Sequence, residues 1–322
     1  MQNKSYKRIV YTIIILSILI FTTLISGCSN ESTNFVEIES RHDKIPNWAV
    51  KMMPNMDQHP PVLHSNEFEE PVPLAIINTA GAEDSPFIPI DRDELYFFFT
   101  KDAKEEVHIQ IRDPINGIWM SKMENGAWQE PELVLLQKKN KLALNGCEFV
   151  QSDTMLFCTA REGYTGLHWF SAKYLNDKWT NWKINDFNLE YEVGELHIHG
   201  EELYYHSSKA GGKGETDIWR LELIENEWKN PTNIAAVNTD QNEGMPYITP
   251  DGQELWFNRW HMGSPAVFRS KKVNGEWQNA EMIVSSFAGE PTLDKYGNLY
   301  FVHHFYENSE MIEADIYIAY KK

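Results

Sequence analysis

Beyond residue 66 the hydrophobic positions fall into short runs separated by Gly, Asp, Asn and Pro, and the runs recur. An aliphatic-aromatic triplet stands after a turn at Leu95-Tyr96-Phe97, Met155-Leu156-Phe157, Leu203-Tyr204-Tyr205, Leu255-Trp256-Phe257 and Leu299-Tyr300-Phe301. A dipeptide follows at Ile118-Trp119, Leu167-His168, Ile218-Trp219, Val267-Phe268 and Ile316-Tyr317, with first members 49, 51, 49 and 49 residues apart. About ten residues later comes Gly126-Ala127-Trp128, then Asp177-Lys178-Trp179, Asn226-Glu227-Trp228 and Gly275-Glu276-Trp277. Runs of this length bounded by turn residues predict strands, and Glu124-Asn125-Gly126 predicts a hairpin. Each copy therefore reads as a short strand, a turn, a β-rich strand, a loop, a strand ending in the Ile-Trp register, and a hairpin into a fourth strand.

Four short strands recurring every 40 to 50 residues, with repeated aromatics, are the signature of a β-propeller blade. Blades pack on both faces, so the aromatics are expected between blades rather than in strict alternation. Five copies predict an all-β, five-bladed propeller over residues 66–322. The fifth copy ends after its third strand, and an open edge would remain. Glu67-Phe68-Glu69-Glu70-Pro71-Val72-Pro73-Leu74 matches Ala127-Trp128-Gln129-Glu130-Pro131-Glu132-Leu133-Val134, the outer strand of the first copy. Residues 66–77 are thus expected to pair with 315–320 and close the ring, leaving 28–65 as tether and lead-in.

Gly244-Met245-Pro246-Tyr247-Ile248-Thr249-Pro250-Asp251-Gly252-Gln253-Glu254-Leu255-Trp256-Phe257, together with Asp217-Ile218-Trp219, resembles the WD-like repeat of TolB-type propellers. Glu83-Asp84-Ser85-Pro86 and Asp315-Ile316-Tyr317 fit the same pattern; the second copy departs from it, with Gln151-Ser152-Asp153 in place of Pro-Asp-Gly. The resemblance spans roughly 66–322 and implies an extracytoplasmic propeller of a kind that often binds proteins or glycans. It brings no catalytic residues with it.

The N-terminus adds an address. Lys4, Lys7 and Arg8 precede the apolar run Ile9 to Ile25, and Ile25-Ser26-Gly27-Cys28 resembles the lipobox of bacterial lipoproteins. That resemblance implies a signal peptide over 1–27, a lipid on Cys28, and a protein anchored in the bacterial cell envelope, on the periplasmic side of the outer membrane or at the cell surface. The remaining chain carries 26 basic against 47 acidic residues, so nucleic acid is excluded as a partner and the membrane is met only through the lipid. A monomer is expected. Export also permits a disulfide between the remaining cysteines. A two-residue turn at Ser152-Asp153 would set Cys147 opposite Cys158; two reduced, buried thiols are the alternative.

Candidate chemistry lies on the innermost strand of each blade, which lines the central channel. An acidic residue recurs there, giving Glu83, Asp84, Glu148, Glu195, Glu243 and Glu290 as channel-mouth ligand candidates, with His197 beside them. Converging carboxylates repel unless a cation, a hydroxyl network or water separates them. They read as a cation or polyol ring, as an acid-base pair, or as caps on neighbouring amides. Five-bladed glycosidases resemble this chain in blade number and topology, which places Glu83 or Asp84, Glu148 and Glu195 in three catalytic roles; an inverting pair would stand roughly 6.5–9.5 Å apart. His197 and His199 share a strand face, a spacing compatible with metal as well as with a structural role. No nucleophile elbow, phosphate loop or dinucleotide fingerprint is present. The expectation is a binding or scaffold module for a protein or carbohydrate partner, with no organic cofactor, a channel cation as an open option, and a glycoside hydrolase as the alternative.

Overall fold

The computed structural model describes residues 40–322; residues 1–27, expected to be a signal peptide, and Cys28 lie outside the described residues. Among the described residues the only α-helical segments are the single turns Arg41–Lys44 and Val107–Gln110, and the rest is strand and turn. The strands follow one another as antiparallel meanders. The first runs through Ala82–Phe87, Glu94–Thr100, Gly117–Glu124 and the short pieces Ala127–Trp128 and Glu132–Leu133. The second comprises Ala143–Gln151, Thr154–Arg161, His168–Leu175 and Lys178–Ile184, and the third Leu196–His199, Glu202–Ser207, Asp217–Ile224 and Glu227–Asn233. The fourth is Glu243–Ile248, Glu254–His261, Ser264–Val273, Glu276–Trp277 and Glu281–Ser285. The fifth holds Ala288–Leu293, Leu299–Glu307 and Glu310–Ala319. The dipeptide register opens the third strand instead of ending it, since Ile118 and Trp119 sit at the start of Gly117–Glu124.

The repeated triplet explains the packing. Leu95, Tyr96 and Phe97 are all fully buried although neighbours on a strand point to opposite faces, so both faces of the sheet are covered. In all five meanders the outer two residues of the triplet pack on the preceding meander and the middle one on the following meander. Leu203 and Tyr205 join the second meander's Leu156 and Trp169, while Tyr204 joins the fourth meander's Leu255 and Phe257. The last follows the same rule: Leu299 and Phe301 join Trp256 and Val267, and Tyr300 joins Leu95 and Trp119 of the first meander. The fold is all-β and propeller-like.

The fifth meander gains its fourth strand from the N-terminal side. Val72 pairs with Ile318 and Pro73 with Tyr317, with a bridge between Phe68 and Lys321. Residues 40–65 do more than lead in. Val62–Leu63 pairs with Val284 and Ser285, Arg41 is buried, and Lys51 bonds Glu313 and Asp315 of the last strand.

Cys147 and Cys158 are joined by a disulfide, with Cα atoms 5.4 Å apart. They do not sit directly opposite. The register set by Gln151 and Thr154 holds as far as Phe149 and Leu156, then slips, and Cys158 pairs with Gly146. The slip is a bulge at Cys147, whose φ is 53°.

Candidate functional site: an acidic pocket walled by bulges

The slip at Cys147 is one of four. The innermost strands of the first, second, fourth and fifth meanders break register between Asp84 and Phe87, Gly146 and Phe149, Gly244 and Tyr247, and Gly289 and Thr292. Ser85, Cys147, Met245 and Glu290 each carry a φ between 50° and 54°, uncommon for residues other than glycine. A bulge re-aims side chains, and here four act together. The pairs Ser85-Pro86, Cys147-Glu148, Met245-Pro246 and Glu290-Pro291, with Glu195-Leu196 from the third meander, line one pocket, completed by Phe87 and Tyr247.

Four carboxyls meet in or beside this pocket: Asp84, Glu148, Glu195 and Glu290. No Lys or Arg lines it. Burial lifts Glu148 well above the usual carboxylate range, with the charges of Glu195 and Asp84 adding to it, and neither of its oxygens has a hydrogen-bond partner. Burial and Asp84 raise Glu195 to about 8. Glu290 is likewise raised well above its ordinary value, by burial and then by Asp84 and Glu195. Burial works upward on Asp84 too, but the imidazole of His304 and the N–H of Ser85 hold it below the usual range. Burial and mutual repulsion thus bias Glu148, Glu195 and Glu290 toward their protonated forms, while Asp84 is biased toward the ionised one.

Glu83 and Glu243 leave the set. Both sit two positions before the first lining residue of their strand, Ser85 or Met245, and are buried in the sheet, where Glu83 accepts from Arg41 at 3.0 Å and from the N–H and hydroxyl of Thr79 at 2.9 and 2.7 Å. Glu243 accepts from Arg259 at 2.7 Å and from the N–H and hydroxyl of Thr239 at 3.1 and 2.5 Å. They are caps of a repeated Asn-Thr-x-x-x-Glu unit. Asn78 exchanges two hydrogen bonds with the backbone of Ile316, and Asn238 does the same with Ile218. His197 is also structural. Its Nδ1 accepts from the N–H of Ile248 at 2.6 Å, its ring stacks on Tyr247, and burial drives its pKa down to about 3. His304 is not among the channel-mouth candidates, yet its Nε2 stands 3.5 Å from Asp84.

An arginine seat accompanies the caps. Arg161 and Arg259 lie over the phenylalanine pairs Phe157 and Phe170, and Phe257 and Phe268, and bond the carbonyls of Leu136 and Val237. In the first meander Phe99 stands opposite Glu83, where the fourth has Arg259 opposite Glu243. Arg41 reaches in from the N-terminal segment, over Phe97 and Phe99, and bonds the carbonyl of Ile77.

No family model matches the chain, and no curated protein matches it in sequence. Solved structures similar to it include TolB from Acinetobacter baumannii, at 13% identity and TM-score 0.44, over 76% of this chain and 56% of that one. The chain thus spans little more than half of TolB's length. An endo-arabinase from Bacteroides thetaiotaomicron is similar at 13% identity and TM-score 0.49, over 78% of this chain and 96% of that one. A gluconolactonase from Xanthomonas campestris is similar at 9% identity and TM-score 0.47, over 80% and 90% of the two chains.

Proposed function

We propose that the protein is a TolB-like, five-bladed propeller of the cell envelope, anchored through Cys28, which acts by binding and holds a small cationic or hydrogen-bonding ligand in its acidic pocket. The observation that carries the binding role is Glu148, buried with both oxygens unpartnered among three further carboxyls. A buried carboxylate without a partner is costly and waits for a ligand, a cation or a proton. The pocket, with a volume of about 50 Å³, takes an ion or a few waters, which supports the reading of a small bound ligand. Ring closure is supported by the five inter-meander cores and by the pairing of Val72–Pro73 with the last strand.

A larger protein or glycan partner is accommodated outside the pocket. Val107, Leu167 and Met262 are exposed apolar side chains on connections between second and third strands, and the exposed Trp260 stands near the end of a second strand. The second strand of the first meander ends beside the start of its innermost strand, Thr100 against Ala82, so its connection to the third strand lies at the end where the innermost strand begins. Exposed apolar side chains mark interaction sites where they form one contiguous patch.

The role of the carboxyls is tested by the sign of a stability change. Glu148→Gln and Glu195→Gln, measured in chelator, should leave the protein as stable or more stable at pH 7 to 8. A carboxyl with a raised folded pKa binds its proton more tightly when folded, so its contribution falls as pH rises; for Glu195 the window runs from 4.5 to about 8, and Gln removes that loss. Glu243→Gln should instead cost on the order of 1 kcal/mol or more, because it weakens charge-assisted bonds to Arg259 and Thr239. If all three variants are destabilised alike, the pocket is ordinary architecture. Release of sugar from chromogenic glycosides by the wild type, abolished in Glu195→Gln, would replace binding with hydrolysis. Anchoring is tested separately: labelled palmitate should enter the wild type and not Cys28→Ala, and labelling of the variant would remove the lipoprotein reading.

A further inference from the structure

Asp84, Glu290 and His304 bring one ligand atom each to a single point, all within 4.8 Å of one another. They come from three strands of two meanders. Asp84 and Glu290 are aimed by the bulges at Ser85 and Glu290, while His304 stands on Leu299–Glu307 beside them. Glu290 Oε2 and His304 Nδ1 are buried without partners. Glu148, only 6% exposed, adds a second, independent sign of a missing partner at the same pocket.

Four carboxyls, Asp84, Glu148, Glu195 and Glu290, stand beside one imidazole with no Lys or Arg lining the pocket; they repel one another once ionised, and a bound cation would offset that repulsion. The donor set narrows the ion. Ca²⁺ and Mg²⁺ favour all-oxygen shells, whereas a mixed carboxylate and imidazole set suits divalent ions of intermediate hardness. The cavity volume admits an ion with a few waters.

We propose that Asp84, Glu290 and His304 bind a divalent transition-metal ion of the Mn²⁺ or Zn²⁺ kind, with Glu148 and Glu195 facing it across the pocket. This rests on the reading of the pocket as a ligand site and names the ligand. The ion would sit where strands of the first and fifth meanders meet, and would tie them together through side chains as Ala82 and Ala314 do through the backbone.

The full-length protein in detergent, stripped with EDTA, is titrated with MnCl₂ and with ZnCl₂, and bound metal is counted after desalting. One ion per chain is expected, with a rise in melting temperature. Glu290→Gln and His304→Asn should each weaken binding by about 100-fold or more, at or beyond what outer-shell changes cost, while Glu243→Gln keeps it. Should the ligand variants fail to fold, pulsed electron paramagnetic resonance of the Mn²⁺-loaded wild type reads the same site, and modulation from an imidazole nitrogen is expected. Substoichiometric uptake, uptake indifferent to both substitutions, or a Mn²⁺ signal without nitrogen overturns the proposal. So does binding of Ca²⁺ alone. Glutamine variants that behave as expected above in a protein that takes up no metal overturn the metal and leave the pocket; variants that all destabilise remove both.

Discussion

Phe68→Ala is expected to cost about 3–5 kcal/mol and to shift the melting of residues 66–322 as one transition. Phe68 is 1% exposed and packs edge-on against Trp256, at a ring separation of 6.1 Å, in the core shared by the fourth and fifth meanders. It lies in a segment whose hydrogen bonds run to the far end of the chain: Glu69 N–H to Tyr320, Leu74 N–H to Ile316, and Lys322 N–H to Glu67. A strand shared by both ends of the domain has no independent edge from which to fray. A truncated side chain there weakens the whole rather than one blade. Differential scanning calorimetry decides it, and a variant that melts with the wild type, or in two separate steps, would count against the closing role of this segment. Acid titration gives a second readout. Bonds from Arg269 and Lys321 hold Glu67 down at about 2, so its contribution is complete above 4.5 and is lost as pH falls toward 2. Glu67→Gln should therefore lower stability in the neutral region, flatten the acid limb of the profile, and converge with the wild type as pH falls toward 2.

Arg41→Ala should destabilise by a similar amount, about 3–5 kcal/mol, since it strands a fully buried carboxylate. Burial pushes Glu83 up to about 7 even against the opposing pull of Arg41 and Thr79. Without the guanidinium the group must take a proton or stay charged with only the Thr79 donors. Arg41→Met paired with Glu83→Gln should recover much of the loss, because replacing both members of a buried pair is far milder than removing one. Urea midpoints of the two singles and the double complete the cycle. A near-neutral Arg41→Ala would show that the N-terminal segment only lies on the surface of the first meander.

The repeat was legible because it arises from burial on both sheet faces. A triplet such as Leu95-Tyr96-Phe97 has to be apolar throughout when each residue packs on one neighbour or the other, and that leaves a mark in every copy, 44 to 60 residues apart. The pocket was only half legible. Acidic residues were aligned by type, which placed Glu83 and Glu243 in the set although a bulge separates them from the lining positions. The bulge had its own trace in the sequence: Ser85-Pro86, Met245-Pro246 and Glu290-Pro291 repeat a proline at one register position, and a proline interrupts a ladder. The caps had one too, in Asn78-Thr79 four residues before Glu83 and Asn238-Thr239 four before Glu243. Arg41 and His304 left no such trace, because each reaches its partner across the fold and no local period records it.

The bridge between Cys147 and Cys158 bears on when the pocket is completed. It fastens the bulge that carries Glu148 to the strand beside it, and Cys147 itself lines the pocket. Thiols stay reduced in a bacterial cytosol, and such bridges persist outside it. A chain bearing an export signal would thus be synthesised with this wall unfastened, among the intracellular metals, and would acquire its last constraint only after crossing the membrane. The contents of the compartment where oxidation happens, rather than those of the compartment where translation happens, would then decide what the pocket first captures.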